Sequence, residues 1–410
     1  MSSGSTERGL TRADAKRSFP IVGIGASAGG LAAVTDLLRH LPADTGMGFV
    51  IVQHLDPHHR SALSEILSKA TAMKVREVTD GMDVEPNHVY VISPNTNMTI
   101  RRGLLELSPR AETCGQHTPV DYFLRSLAKD LGSQAIAVIL SGTASDGARG
   151  VSVIKAEGGI TFAQDETAKY DGMPRAAIAT GHVDFVLPPE RIASEVSHIG
   201  RHPYVASSQD LSGHEIPKHK EGELATICLL LRKATGVDFT LYKEGTLQRR
   251  IRTRMAQHKI QELKDYVEFI QGDSEEGLAL FEDLLIRVTR FFRDPETFDA
   301  LKANVFPRLM ENRSPDDVIR VWIPGCSTGE EVYSIAICLL ESLGRGTPIK
   351  IFATDISESA IDRARSGVYP ESISADVSPE RLRRFFAAVG TGYKVAKSVR
   401  DSCVFAKQDV

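Results

Sequence analysis

"IVGIGASAGG", residues 21–30, is an apolar run that enters a turn made of Gly, Ala and Ser. Two chemistries fit such a turn. Gly23, Gly25 and Ala28 satisfy the loose dinucleotide pattern G-x-G-x-x-G/A, in which small residues let a backbone approach a pyrophosphate. The same stretch centres Ser27 in G-x-S-x-G, the spacing of a tight turn that presents a hydroxyl. The next apolar run separates the two. A nucleotide site needs an acid at the end of that strand for the ribose hydroxyls, whereas "FVIVQHL" supplies Gln53 and His54, a base.

Working outward, "GFVIVQHL", "HVYVISP", "AIAVILSG", "GGITFAQ" and "HVDFVLP" alternate with helical patterns up to about residue 200. In "GGLAAVTDLLRHLP", Leu31, Val34, Leu38 and Leu41 share one face. Near-continuous Val/Ile runs are strands covered on both faces, so the fold class is α/β with a mainly parallel, doubly wound sheet. "VYVISPNTNMTIRRGLLELS" alternates instead, which predicts antiparallel hairpins at an edge. Parallel strands bring their carboxyl ends to one crevice, so Ser27 and His54 should meet there. "AVILSGTASDGARG" ends a third strand in a loop carrying Asp146. Hydroxyl, imidazole and carboxylate are the parts of a nucleophilic triad, and the helix starting near Gly29 would aim its free amides at a developing oxyanion. Singly, each of these residues is ordinary turn chemistry; three at predicted strand ends are not. The order Ser, His, Asp departs from that of the α/β-hydrolases, where the aspartate precedes the histidine.

Bulk properties exclude several classes. With 49 Lys and Arg against 53 Asp and Glu the chain has no global basic field, and "LQRRIRTRM" lacks an aromatic platform, so nucleic acid is not expected. Residues 1–18 are polar and no run of eighteen apolar residues occurs, so the protein is expected to be cytoplasmic without membrane insertion. Cys114, Cys228, Cys326, Cys338 and Cys403 are odd in number and scattered, which predicts reduced thiols rather than a disulfide framework. His58, His59 and His117 are poorly spaced for a metal, and none is expected.

The expected organisation is a disordered tail over 1–18, an α/β domain over 19–200, a polar linker over 201–222, a small all-α domain over 223–298 and a partial Rossmann-like domain over 299–410. In the last of these, "VWIPGCSTGEEVYSIAI" again runs strand, Gly-rich turn, helix, and "IKIFATDIS" ends its strand in Asp355. Gly325 and Gly329 permit close approach, and Glu330 or Asp355 can accept from ribose hydroxyls, which predicts a nucleoside cofactor, NAD or S-adenosylmethionine. The absence of G-K-[ST] argues against a triphosphate.

"IGASAGG", "IVQHL", "HTPVDYFLRSLA", "ILSGTASDGARG" and "YDGMPRAAI", in that order, resemble the catalytic domain of the CheB-type chemotaxis protein-glutamate methylesterases. The resemblance implies a triad of Ser27, His54 and Asp146, an oxyanion-hole amide at Thr143 (the family usually has Met there), and glutamine deamidation as a second activity; the family's receiver domain has no counterpart before residue 19. "LLIRVTRFFRD", "GCSTGEEVYSIA", "FATDIS" and "ARSGVY" resemble the CheR-type protein-glutamate O-methyltransferases. That resemblance implies S-adenosylmethionine contacts at Thr289, Arg293, Glu330 and Asp355, with Asp409 where Asn is common and Arg287 where the family has another Asn. It also implies that Arg249, Arg250, Arg252 and Arg254 dock acidic cytoplasmic helices of methyl-accepting chemoreceptors. Three readings stay open: an esterase fused to a transferase, an esterase with an inert transferase part serving as a scaffold, and a nicotinamide enzyme using the first turn.

Overall fold

The computed structural model describes residues 19–54, 62–110, 118–202, 221–240, 242–285, 289–311, 317–343, 347–390 and 392–409. These fall into two compact units, one containing the described residues up to Cys228 together with Thr240–Asp273, the other Leu229–Phe239 and the described residues from Ser274 onward.

The first unit is built on strands β1 (Ile21–Ala26), β2 (Gly48–Gln53), β3 (Lys74–Glu77), β4 (Met82–Asp83), β5 (His88–Val91), β6 (Thr96–Arg101), β7 (Leu104–Pro109), β8 (Ala135–Ile139), β9 (Ile160–Gln164) and β10 (Phe185–Leu187). Its helices are α1 (Gly30–His40), α2 (Leu63–Ser68), α3 (Pro119–Leu131), α4 (Ala148–Ala156), α5 (Gly172–Ala179) and α6 (Pro189–Gly200), then the part of α7 (Glu221–Thr235) up to Cys228, α8 (Glu244–Gln257) and α9 (Leu263–Gly272); α7 from Leu229 onward is assigned to the second unit. Seven strands form one sheet in the order β10-β9-β8-β1-β2-β5-β3, every neighbouring pair parallel. Every residue of β1, β8 and β9 is buried, as a sheet covered on both faces requires. One core lies under α1 and α6, with Val34, Leu37, Leu38 and Ile192 against Ile24, Phe49 and Phe162. The other lies under α3, with Phe123, Leu124 and Leu127 against Val50, Ala137 and Ile139.

Two expectations are refined. The hairpin at Arg102 and Gly103 forms, both residues taking positive φ (52° and 73°), but with β4 it makes a separate sheet in the order β4-β7-β6. No hairpin turns at "PNTN": the run before it is β5, whose Val89 and Tyr90 lie in parallel register with Phe49 and Val50 and are fully buried. The glycines of the first turn also have a specific task. A Cβ on Gly23 would lie 2.7 Å from a Leu124 methyl, and one on Gly25 2.3 Å from a Val120 methyl. They let α3 press on the sheet, and so explain the glycine pattern without a bound pyrophosphate.

Helix α8 belongs to this unit and meets the end of α4. Both terminal nitrogens of Arg250 donate to carbonyls of that last turn, one to Lys155 and the other at 2.7 Å to Ala156. Thr253 Oγ1 donates to Gly158 O (3.0 Å) and Gln257 Nε2 to Asp184 Oδ1 (2.8 Å). The terminal carbonyls of α4 have no partner inside their own helix, and a cation at that end is favoured by the helix dipole.

The second unit contains α10 (Ser274–Leu284), α11 (Pro295–Ala300), α12 (Phe306–Met310), β11 (Ile319–Pro324), α13 (Glu330–Ser342), β12 (Ile349–Asp355), α14 (Glu358–Ser366), β13 (Val368–Pro370), α15 (Pro379–Phe385), β14 (Phe386–Val389), β15 (Gly392–Val395), α16 (Lys397–Arg400) and β16 (Cys403–Lys407). β11, β12 and β16 form a parallel sheet in that order, and β13, β15 and β14 an antiparallel one. Its core gathers Phe291, Phe292, Tyr333, Ile337, Ile351, Tyr369 and Phe386.

Because Arg250 is only 3% exposed, Arg250→Ala removes a buried donor from the Lys155 and Ala156 carbonyls, and the first unit should lose roughly 1–3 kcal/mol of stability. A lowered urea midpoint with an unchanged slope would show it; an unchanged midpoint would show that the contact contributes nothing.

Candidate active sites

The first site is assembled at the carboxyl ends of β1, β2 and β8. Ala26 and Gln53 are register partners, so Ser27 and His54 are the first residues beyond the paired ends of adjacent strands. The Ser27 turn is held from the β8 side: Ser27 N donates to Ser141 O (3.0 Å), and Ser141 Oγ donates to Ala28 O (2.9 Å). Tyr170 N in turn donates to Ser141 Oγ (3.0 Å), while Ser141 N donates to Gln164 Oε1 (2.9 Å). Two glycines close the arrangement. A Cβ on Gly29, which has φ 72°, would reach 2.7 Å from Ser141 Oγ, and one on Gly142 would come within 3.0 Å of Ser27 Cβ. The loop bearing Thr143 therefore passes directly against Ser27. Thr143 itself is exposed, and the Ser27 hydroxyl makes no hydrogen bond among the described residues.

His54 and Asp146 are joined directly, with His54 Nε2 2.8 Å from Asp146 Oδ2. The histidine side chain is 33% exposed and the carboxylate 2%, so the pair runs from the crevice into the interior. Asp146 also accepts from Val120 N (3.0 Å) and Asp121 N (2.9 Å), the first free amides of α3. Three donors satisfy a carboxylate that would otherwise be costly to bury.

On the second sheet, "GCSTG" turns sharply between β11 and α13, with positive φ at Gly325 (66°), Ser327 (47°) and Gly329 (91°). Asp355, at the end of β12, accepts from Ser327 N (2.7 Å) and Ser357 N (2.8 Å), one oxygen to each side. Glu330 accepts from Thr328 Oγ1 (2.6 Å), and burial raises its carboxyl above the ordinary range. Thr289 and Arg293 bracket Phe291 and Phe292; Phe292 N donates to Ser334 Oγ (3.0 Å), one turn along α13 from Glu330. Asp409 follows Gln408, whose amide donates to Asp355 O (2.9 Å). Arg287 lies outside the described residues. Glu330, Asp355 and Asp409 thus converge on the carboxyl ends of one parallel sheet, with Thr289–Arg293 alongside α13.

The turn has the character of a ligand cradle. Ser327 Oγ is buried without a hydrogen-bond partner, and a Cβ built on Gly325 meets nothing within 4 Å. An orphaned hydroxyl and open space beside two acids suit the hydroxyls and amino group of a nucleoside cofactor.

Placement separates the four arginines. Arg250 is spent on the α4 carbonyls, contrary to an exposed docking role for all four. Arg249 faces Glu157 (3.9 Å) and Arg254 is 3.2 Å from His258 Nε2; Arg252 is half-buried. Cys228, Cys326 and Cys338 are buried and Cys403 half-buried, none of them in a disulfide; burial pushes the Cys326 thiol up to about 12. Cys114, His58, His59 and His117 lie outside the described residues, and no metal-binding cluster occurs among those described. Ser141, Gln164 and Asp121 were missed in the sequence, although Ser141 and Asp121 stand inside the quoted motifs; only their distances reveal them.

A serine next to a histidine–aspartate pair, and a nucleoside-type turn on a second parallel sheet, define a chain with two enzyme-like sites. The CheB methylesterase family matches residues 22–196, the CheR methyltransferase all-alpha domain 222–285 and the CheR methyltransferase SAM-binding domain 287–410. The chain therefore carries a CheB methylesterase domain followed by CheR methyltransferase domains. It is 36% identical over 373 residues to an uncharacterized 104.1 kDa protein from the hypE 3′ region of Rhodobacter capsulatus, covering 85% of this chain and 39% of that one. It is 38% identical over 179 residues to protein-glutamate methylesterase/protein-glutamine glutaminase 2 of Pseudomonas aeruginosa, covering 42% of this chain and 51% of that one. The chain thus spans about two fifths and about half of the length of these two relatives. The Thermotoga maritima CheB methylesterase catalytic domain shares 31% identity, with 44% of this chain and 98% of that one covered, at a TM-score of 0.41.

Asp355→Ala removes the acceptor that holds Ser327 N and Ser357 N, each bond worth roughly 1–3 kcal/mol. Calorimetric titration with S-adenosylmethionine should show affinity reduced by about tenfold or more; unaltered affinity would remove Asp355 from the cofactor site.

Proposed function

We propose that the chain both removes and adds methyl groups on glutamate side chains of chemoreceptors, with the two chemistries in separate units. The observation that carries the esterase half is the 2.8 Å contact of His54 with buried Asp146 at the strand end beside Ser27. Ser27 Oγ attacks the γ-carbonyl carbon of a glutamate methyl ester. His54, its Nε2 held by Asp146, takes the serine proton on Nδ1 and delivers it to the departing methoxide, so that methanol leaves and an acyl-enzyme remains. Water then gives its proton to His54, attacks the same carbon and releases glutamate, and His54 returns the proton to Ser27. Asp146 stays ionised and fixes the imidazole orientation. The oxyanion is received by the Thr143 amide and the start of α1, because Gly142 brings that loop against Ser27. A glutamine side chain meets the same machinery with ammonia as the leaving group, which supports deamidation as a second outcome.

For the transferase half, S-adenosylmethionine supplies an electrophilic methyl group when bound. Glu330, Asp355 and Asp409 would hold it, with Thr289 and Arg293 beside them. The acceptor is a receptor carboxylate, already nucleophilic, so the residues mainly align the two partners. Receptor helices rich in carboxylates are complementary to Arg249, Arg252 and Arg254 on α8, whose guanidinium groups suit bidentate contacts. No described helix is long and apolar enough to cross a membrane, and a cytoplasmic site of action fits receptor tails as the substrate.

With receptor fragments carrying labelled methyl groups, Ser27→Ala of unchanged thermal stability should lower release of labelled methanol by about four orders of magnitude. Retention of most release would refute the nucleophile. Gain of label from S-adenosylmethionine by unlabelled fragments tests the transferase half independently, and its absence would leave a scaffold role for that unit.

A further inference from the structure

Asp146 is not supported by its own loop alone. Its carboxylate takes the amides of Val120 and Asp121, the second and third residues of α3, while α4 begins two residues after it at Ala148. The side chain of Asp121 makes the reverse connection. Asp121 Oδ1 accepts from Gly150 N at 2.7 Å, the third residue of α4. Each helix therefore offers a first-turn amide to an aspartate belonging to the other, and the two carboxylates lock the helix starts together. Gly150 permits this, because a Cβ there would lie 2.5 Å from Leu124 Cβ. Asp121 is 4% exposed, and neither its hydrogen bond nor its location puts it in the crevice.

Resting on the esterase reading above, we infer that Asp121 is a positioning residue: it fixes the start of α4 against that of α3, and thereby the Asp146 carboxylate that orients His54. A buried acid so close to a second carboxylate also holds its proton more tightly. Burial and the charge of Asp146 push the Asp121 carboxyl up to about 7, against the opposing pull of Gly150 N, Arg149 and Arg125. The groups facing it are thus Asp146 from the β8 loop, Arg149 from α4 and Arg125 from its own helix, with His54 behind Asp146. Ionisation of Asp121 adds negative charge near the imidazole and favours imidazolium, so removing that charge should let His54 work as a base at lower pH.

The test uses the full chain and a peptide bearing a glutamate γ-methyl ester, with kcat and KM followed across the neutral pH range. Asp121→Asn keeps an oxygen acceptor for Gly150 N, whereas Asp121→Ala has none. Asp121→Ala should lower kcat by about a hundredfold, the penalty typical of a small misplacement of a catalytic group, with KM little changed. Asp121→Asn should recover activity to within about tenfold and move the acid limb of kcat/KM to lower pH. Wild-type kcat and pH profile in both variants would overturn the inference, as would equal losses in both with an unmoved acid limb, which mark a merely structural role. If Asp121→Ala fails to fold, the acid limb of Asp121→Asn decides by itself. Ser27→Ala in the same assay separates the two levels: full activity there removes the esterase reading and this inference together, while its inactivity alongside unaltered Asp121 variants removes this inference alone.

Discussion

The first unit depends on a buried negative charge and what it takes to satisfy it. Asp146 is 2% exposed and can be tolerated there only because the start of α3 supplies two amides and His54 a third donor. The requirement propagates outward. α3 must lie close enough to the sheet for its first turn to reach the β8 loop, which excludes side chains at Gly23 and Gly25. It must also meet α4 closely, which excludes one at Gly150. A stretch that reads as a phosphate cradle is thus explained by the packing of a helix whose end serves the Asp146 carboxylate.

The second unit solves a related problem differently. Asp355 accepts two backbone amides that flank it, which shapes the turn around it and leaves Ser327 Oγ buried without a partner. Glu330, held in the interior with Thr328, is favoured in its neutral form by burial, whereas Asp146 sits among three donors. One unit joins an imidazole to a buried carboxylate at its strand ends, the other leaves a buried hydroxyl unpartnered beside two acids. Helix α8 shows how an arginine-rich face can divide its duties: Arg250 neutralises a helix end inside the first unit, while Arg249, Arg252 and Arg254 are less deeply placed.

Much of this was legible in the residues. Continuous Val/Ile runs predicted a parallel sheet, which forms, because burial on both faces leaves no reason for polar alternation. Strand-end positions singled out Ser27, His54 and Asp146, and the last two are in contact. The "PNTN" segment misled because alternation through Met98 and Ile100 extends backwards into β5, whose own pattern is too short to separate two buried faces from one.

What the linear order of residues determined was the inventory: which strands are buried, which turns are glycine-rich, and which nucleophile, base and acids stand at their ends. Only the tertiary structure decided that Gly23, Gly25 and Gly150 serve helix contacts, that Ser141 and Gln164 brace the serine turn, that Arg250 is internal, and that Asp121 and Asp146 cap each other's helices. Periodicity and local spacing are set by neighbours a few positions apart, whereas these roles arise from groups 23 to 113 positions apart whose distances exist only once the sheet has brought them together.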